Sequence, residues 1–342
     1  MNIDASHGLN RAAAAVADSV PLVSPDGWRQ SRLHALDRDW PETNCDLDLW
    51  IELAASRDLQ PEALLGFAVA QDFTVDQFAM LVPPKEELER FYGASIRPLA
   101  LYGRFEDHFV AQVADGACVM LETDSYYLPD ARGVAYRRRH IQSTIAIAAI
   151  DPARRTLDYF HNQGFWRLEG EDYDMIVHRP PHLQLDEIVP PHAETIRFEF
   201  EPLRGAALRS AAAERLRFRL SRAPRRDPVA LFGTTLAAKA EALAGAGENA
   251  FHDWAFHTVR QLGAAFELLG DHVAWLDDRA FAAARENCKR VSSGAKALQF
   301  QLARAIMRGR TPDIGALVAE ISAARGAALA GVDAGLAALT SP

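Results

Sequence analysis

The sequence predicts an α+β domain over residues 1–225 followed by an all-α helical bundle over 226–342. Three observations carry this reading. The chain has 342 residues, more than a single hydrophobic core usually accommodates. Strand-like and helix-like patterns alternate through its N-terminal part, whereas the C-terminal part is periodic at helical spacing throughout. Between them, at 221–228, lies S-R-A-P-R-R-D-P, where two prolines and a cluster of arginines interrupt both patterns.

Helical patterns occupy about 45–57, 84–92 and 204–221. The runs Cys118–Glu122, Ser143–Ile150, Thr156–Phe160 and Ile196–Phe200 read as strands. Asp151 and Pro152 supply turn chemistry between the second and third, which predicts an antiparallel hairpin. Past the boundary, Phe251, Trp254, Val259, Leu262, Phe266 and Leu269 recur at helical intervals. From Phe281 through Ala284, Cys288, Val291, Ala295 and Leu298, steps of three and four alternate, as in helices packed along a seam. With 228–246 and 313–339 this makes four helices and a small antiparallel bundle. Trp254, Phe256 and His257 fit core packing better than a pocket.

Apolar residues at 49% and charged residues at 24% describe an ordinary globular chain. A net charge of -9 argues against nucleic acid as the main partner. It leaves Arg137 to Arg139 and Arg222 to Arg226 as local basic runs where an acidic partner would dock. The N-terminus carries Asp4 and no basic region ahead of an apolar core, so no secretory leader is expected, nor any membrane segment. Three widely spaced cysteines resemble no disulfide framework, and a cytoplasmic location is expected. Neither a G-x-x-x-x-G-K-[ST] loop nor a G-x-G-x-x-G turn is present. Prolines between His178 and His182 break the helical ligand spacing that would link this pair, so no metal is expected there or with His192.

Cys118 falls in a strand expected to be buried and Cys288 on the bundle seam, so both read as small hydrophobes. Cys45 differs. It follows the polar turn Trp40-Pro41-Glu42-Thr43-Asn44 and opens the helical run D-L-D-L-W-I-E-L-A-A. Its sulfur therefore sits in the first turn of a helix, where unpaired N–H groups and the dipole favour a thiolate. Asp46 and Asp48 oppose ionisation, and the face shared with Leu49 and Leu53 leaves a merely buried cysteine as the competing reading.

A nucleophilic thiol needs a base, and the base needs an orienting partner. His140 opens the first strand of the hairpin, and the second ends at His161 and Asn162, so pairing is expected to bring His140 and Asn162 together. Asp124 and Asp130, with Tyr126, Tyr127 and Tyr136, form either the entrance for an amine substrate or the polar rim of a loop, and His161 is a further substrate-binding candidate.

The stretches N-C-D-L-D-L-W-I-E-L-A, E-T-D-S-Y-Y-L-P-D-A-R-G-V-A-Y-R-R-R-H and D-Y-F-H-N-Q-G-F-W-R-L-E-G-E-D-Y-D resemble an uncharacterised bacterial domain-of-unknown-function family. Its genes tend to sit beside carrier proteins and amino acid:carrier-protein ligases. More distantly, the cysteine at a helix start, the D-x-Y-Y-L-P segment before a histidine and the helical tail are similar to the butirosin-biosynthesis BtrH-like acyltransferases. That resemblance implies a papain-like N-terminal domain with Cys45 as nucleophile and His140 as general base. The third position, usually aspartate, here holds His161 and Asn162. Papain-like enzymes place an oxyanion-stabilising glutamine about six residues before the cysteine. Asp39 stands there in this chain, which leaves the backbone N–H of Cys45, with Asn44 or Gln71, as candidate donors.

The implied activity is acyl transfer. An aminoacyl or other acyl group leaves the phosphopantetheine thioester of an acyl carrier protein, resides on Cys45 and passes to an amine acceptor. The phosphopantetheine arm comes with the partner, and thioester exchange of this type requires neither ATP nor a metal. A non-catalytic carrier-protein binding module and a cysteine hydrolase or peptidase of the same fold are the alternatives.

Overall fold

A computed structural model of the protein describes residues 26–179, 188–246, 248–308 and 314–339. Residues 1–25, expected to carry no leader, and His182 lie outside the described residues. In chain order the helices are α1 (Cys45–Ser56), α2 (Lys85–Tyr92), α3 (Phe105–Ala114), α4 (Glu171–Ile176), α5 (Gly205–Ser221), α6 (Pro228–Ala246), α7 (Glu248–Ala255), α8 (Gln261–Asp277), α9 (Ala282–Met307) and α10 (Gly315–Ala338). A 3-10 run covers Pro61–Ala70, and a π-helical turn, Phe256–Arg260, joins α7 to α8. The strands are β1 (Phe73–Thr74), β2 (Gln77–Phe78), β3 (Ala94–Pro98), β4 (Cys118–Asp124), β5 (Gln142–Asp151), β6 (Thr156–His161), β7 (Gly164–Glu169) and β8 (Ala193–Phe198).

Backbone contacts divide the chain into two units that are not contiguous in sequence. Among the described residues, the first holds 26–31, Cys45–Leu59 and Leu88–Pro202; the second holds Arg32–Asn44, Gln60–Glu87 and 203–339. These limits differ from the compositional junction at 225/226. The proline- and arginine-rich stretch at 221–228 connects α5 to α6, two helices of the same unit.

The first unit is built on a six-stranded antiparallel sheet of order β3-β8-β4-β5-β6-β7. Side chains alternate between its faces. One face presents Val119, Leu121, Ile145, Ile147, Leu157 and Tyr159 to Phe105 and Phe109 of α3 and Tyr173 and Ile176 of α4, all buried in one core. The other face carries Cys118, Met120, Ala146 and Phe160. It lies under α1, which packs on β5, β6 and β7 and whose flanking Arg57 stacks 3.8 Å from the Phe198 ring centroid. α1 is buried along most of its length, and its first-turn acids Asp46 and Asp48 complement the helix dipole.

The β5–β6 hairpin forms as its turn residues dictate. Asp151 Oδ1 accepts from the N–H groups of Ala153 and Arg154, both at 3.0 Å, and Arg155 takes a left-handed φ of 56°. A two-residue turn at Asn162 and Gln163 links β6 to β7, with Asn162 at φ 48°, a conformation asparagine tolerates well.

The second unit is helical apart from the β1–β2 ribbon. α8, α9 and α10 pack successively, and Pro61–Ala70 lies on α8. Trp40 is buried here, its backbone N–H donating to Glu267, while Arg38 pairs with Asp271 at 2.6 Å. Among the described residues, α10 is the one helix long and apolar enough to cross a membrane. Its buried Val318, Ile321, Ala324, Ala328 and Val332 form a stripe at helical spacing, and it packs on α9, so this apolarity serves the bundle.

Candidate functional site

The C-terminal end of β4 and the N-terminal end of β5 lie together, Asp124 opposite Gln142. The excursion between them, residues 125–141, starts with a 3-10 turn at Ser125–Tyr127 capped by the Asp124 carboxylate, whose Oδ1 accepts from Tyr126 N–H at 3.0 Å. The chain returns where both the N–H and the hydroxyl of Ser125 donate to the carbonyl of Ile141. This closure places His140 over the strand end. Its Nδ1 lies 2.5 Å from Asp124 Oδ2, and its ring stacks on Tyr126 at 4.4 Å and 11°.

A carboxylate on Nδ1 fixes the tautomer with the proton on that nitrogen. Nε2, which has no hydrogen-bond partner among the described residues, is then left as the basic nitrogen of a 69% exposed side chain. A cavity of about 530 Å³ opens beside the pair, lined among others by Glu122, Asp124, Tyr127, His140, Gln142 and His178. Glu122 accepts from Gln142 Nε2 at 2.9 Å. Burial, reinforced by Asp124, pushes the Tyr127 phenol above its ordinary range, so it enters the cavity as a neutral hydroxyl.

The remaining sequence-predicted residues distribute as follows. Cys45 is the first residue of α1 and half-buried; it is not among the residues lining the cavity. Asn162 sits in the β6–β7 turn. The His140 ring has Asp124 on Nδ1, where the hairpin reading expected Asn162. The register explains this: Ala146 pairs with Phe160, so Asn162 lies level with the interior of β5, while β4 on the other side delivers Asp124. Tyr136 donates to Asp172 at 2.9 Å, and Arg137 pairs with the same carboxylate at 2.6 Å, fastening the excursion to α4. Asn44 donates to the carbonyl of Leu81 and Gln71 to that of Ala79, both within the second unit.

His161 lies on the α3/α4 face in a buried network that sequence reasoning missed. Its Nδ1 is 2.5 Å from Asp130 Oδ2 and its Nε2 is 2.7 Å from Ser143 Oγ; Tyr159 donates to Asp130 Oδ1. The connectivity is that of a serine, histidine and aspartate relay. Imidazole and carboxylate are only 2% and 4% exposed, however, and Ser143 sits within a central strand, away from the lining of the cavity. With the carboxylate satisfied by two donors, the network anchors Asp130, and with it the excursion carrying Tyr126 and Tyr127, to β6.

No curated protein matches the sequence. Two family models do, the DUF1839 N-terminal domain over residues 29–198 and the DUF1839 C-terminal domain over 205–334; the chain belongs to the DUF1839 family.

Proposed function

We propose that this protein is a cysteine-dependent acyltransferase with a papain-like catalytic layer, in which Cys45 is the nucleophile, His140 the base and Asp124 the group that orients it. The observation that carries the reading is the His140–Asp124 pair, with Nε2 left basic at the mouth of a cavity. α1, which Cys45 opens, packs on β5, β6 and β7, on the sheet face onto which Asp124 alternates.

In the first step Cys45 Sγ attacks the thioester carbonyl of a loaded acyl carrier protein, and the thiol proton passes to His140 Nε2. The bond from carbonyl carbon to pantetheine sulfur breaks, and His140 returns the proton to that sulfur. An amine then attacks the Cys45 thioester and gives a proton to His140; the bond to Cys45 Sγ breaks and the proton returns to the thiolate. Each step exchanges one acyl bond for another, with the phosphopantetheine arm supplied by the carrier protein. Arg222, Arg225 and Arg226, all exposed, are the basic groups proposed to meet an acidic carrier.

Intact mass after mixing with loaded carrier protein tests this. The wild type is expected to gain the acyl mass, and Asp124→Asn to do so about 10²-fold more slowly, because the imidazole loses the carboxylate that fixes its tautomer. No adduct on the wild type would leave the binding-module reading. An adduct released equally fast without amine would identify a hydrolase. The position of Cys45 outside the cavity lining is what keeps the module reading in play.

A further inference from the structure

We propose that His178 is the side-chain oxyanion donor of this site, presenting Nε2–H to the carbonyl oxygen of an acyl group held in the cavity. The inference rests on the acyl-transfer reading and supplies a donor that its motifs leave open.

His178 follows α4 and lines the cavity that His140 and Asp124 also line. Its φ is 56°, in the left-handed region. Histidine is one of the few non-glycine residues that adopts this conformation readily, and here it turns the chain just past the end of α4. The ring packs on Phe105 at 5.3 Å, which fixes its plane.

The two ring nitrogens differ in their surroundings. Nδ1 is buried with no hydrogen-bond partner among the described residues. An N–H sealed without an acceptor is costlier than a bare lone pair, which places the proton on Nε2. Nε2 is not among the buried, unpartnered atoms, and His178 lines the cavity. Burial also holds the pKa of this imidazole below its ordinary value, so it stays neutral and donates a single N–H.

A neutral donor suits its neighbours. Glu122 and Asp124 line the same cavity and disfavour a ligand that arrives as an anion. A carbonyl arrives neutral and gains negative charge only as the tetrahedral adduct forms, when a fixed donor helps most. Asn44 and Gln71 already donate to backbone carbonyls elsewhere.

The test uses two variants chosen to keep the backbone. His178→Gly deletes the donor at a position where glycine adopts the observed φ freely, and His178→Gln restores an amide N–H. With a carrier-bound thioester, His178→Gly should lower the rate of acyl-enzyme formation about 10²-fold or more with little change in KM, and His178→Gln should recover part of it. Independently of turnover, the Cys45→Ala protein is titrated with an N-acetylcysteamine thioester carrying a ¹³C carbonyl. The carbonyl resonance should move downfield on binding, and the shift should be lost with His178→Gly. Nitrogen shifts of His178 should report a neutral ring protonated on Nε2. Unchanged acyl-enzyme formation in His178→Gly, or a ring protonated on Nδ1, overturns the assignment while leaving the acyltransferase reading standing. A His178-dependent carbonyl shift without any acyl-enzyme on the wild type supports the donor and sinks that reading.

Discussion

Cys45→Ala is expected to abolish the acyl-enzyme and to reduce transfer by a factor of about 10⁴ or more, since no other thiol in the chain can replace it. Burial pushes Cys118 up to about 11 and Cys288 up to about 12, so neither forms appreciable thiolate near neutral pH. Cys45 opens α1 and is half-buried, the setting in which a helix N-terminus supports the anion. An alkylating reagent applied to the folded protein should therefore label Cys45 alone, with Cys118 and Cys288 reacting only after unfolding. His140→Ala should slow that labelling several-fold near neutral pH, because the thiol loses its proton acceptor. Ser143→Ala should leave the adduct intact, because the Ser143–His161–Asp130 network anchors a loop and does not meet the cavity. Peptide mapping of the alkylated protein and intact mass of the variants measure both effects. Undiminished transfer by Cys45→Ala would overturn the nucleophile assignment, and labelling indifferent to His140 would break its pairing with that base.

What could be read from the sequence follows from where physical signals are local. α1, α2 and α5 form close to the predicted ranges; α5 buries Leu208, Ala211, Ala212 and Leu216 along one stripe, whereas α1 is apolar enough to be buried almost all round. β5, with Thr144 and its isoleucines, and β6, with Tyr159 and Phe160, are legible as strands around an Asp-Pro turn. β3 and β7 were not predicted, and they are the two edges of the sheet. Edge strands carry charge and proline that mask the strand pattern: Arg97 and Pro98 in one, Arg167 and Glu169 in the other. α3 lies outside the predicted helical ranges, although Phe105, Phe109 and Val113 recur at four-residue steps.

The candidate site divides along the same line. His140 and Asp124 were each singled out, but in separate roles. Their contact depends on β4 pairing with β5 across residues 125–141, and nothing local announces the register of strands so separated. Asn162 was favoured because a hairpin is the nearest source of a neighbour. Alternation then puts its predecessor, His161, on the core face with Ser143. In the sequence His178 stands out only as a metal-ligand candidate; its place in the cavity lining beside His140 depends on where α4 ends against the sheet.

Stability of the helical unit should fall measurably in mild acid because of one residue. His272 of α8 is fully buried; its Nδ1–H donates to the Glu62 carbonyl at 2.7 Å, and its Nε2 has no partner among the described residues. The ring lies against Gly66, where an added Cβ would come within 2.6 Å of Nε2. Protonating this ring buries a charge with no acceptor, and burial lowers its pKa from 6.5 to about 4. The sign follows from proton counts. Below 6.5 the unfolded chain takes up a proton that the folded ring refuses, so the stability present above that pH declines as pH falls towards about 4. The shift caps the loss at about 3 kcal/mol, and about 2 kcal/mol of it should appear between about pH 7.5 and about pH 5. Urea unfolding at those two pH values, followed by circular dichroism, measures it as the difference between wild type and His272→Gln, which keeps a donor for Glu62 without a titrating ring. Gly66→Ala should cost about 1–3 kcal/mol at either pH, because the ring has no room to retreat. Equal acid sensitivity in wild type and His272→Gln would show that this histidine is protonated in the folded state as readily as in the unfolded one.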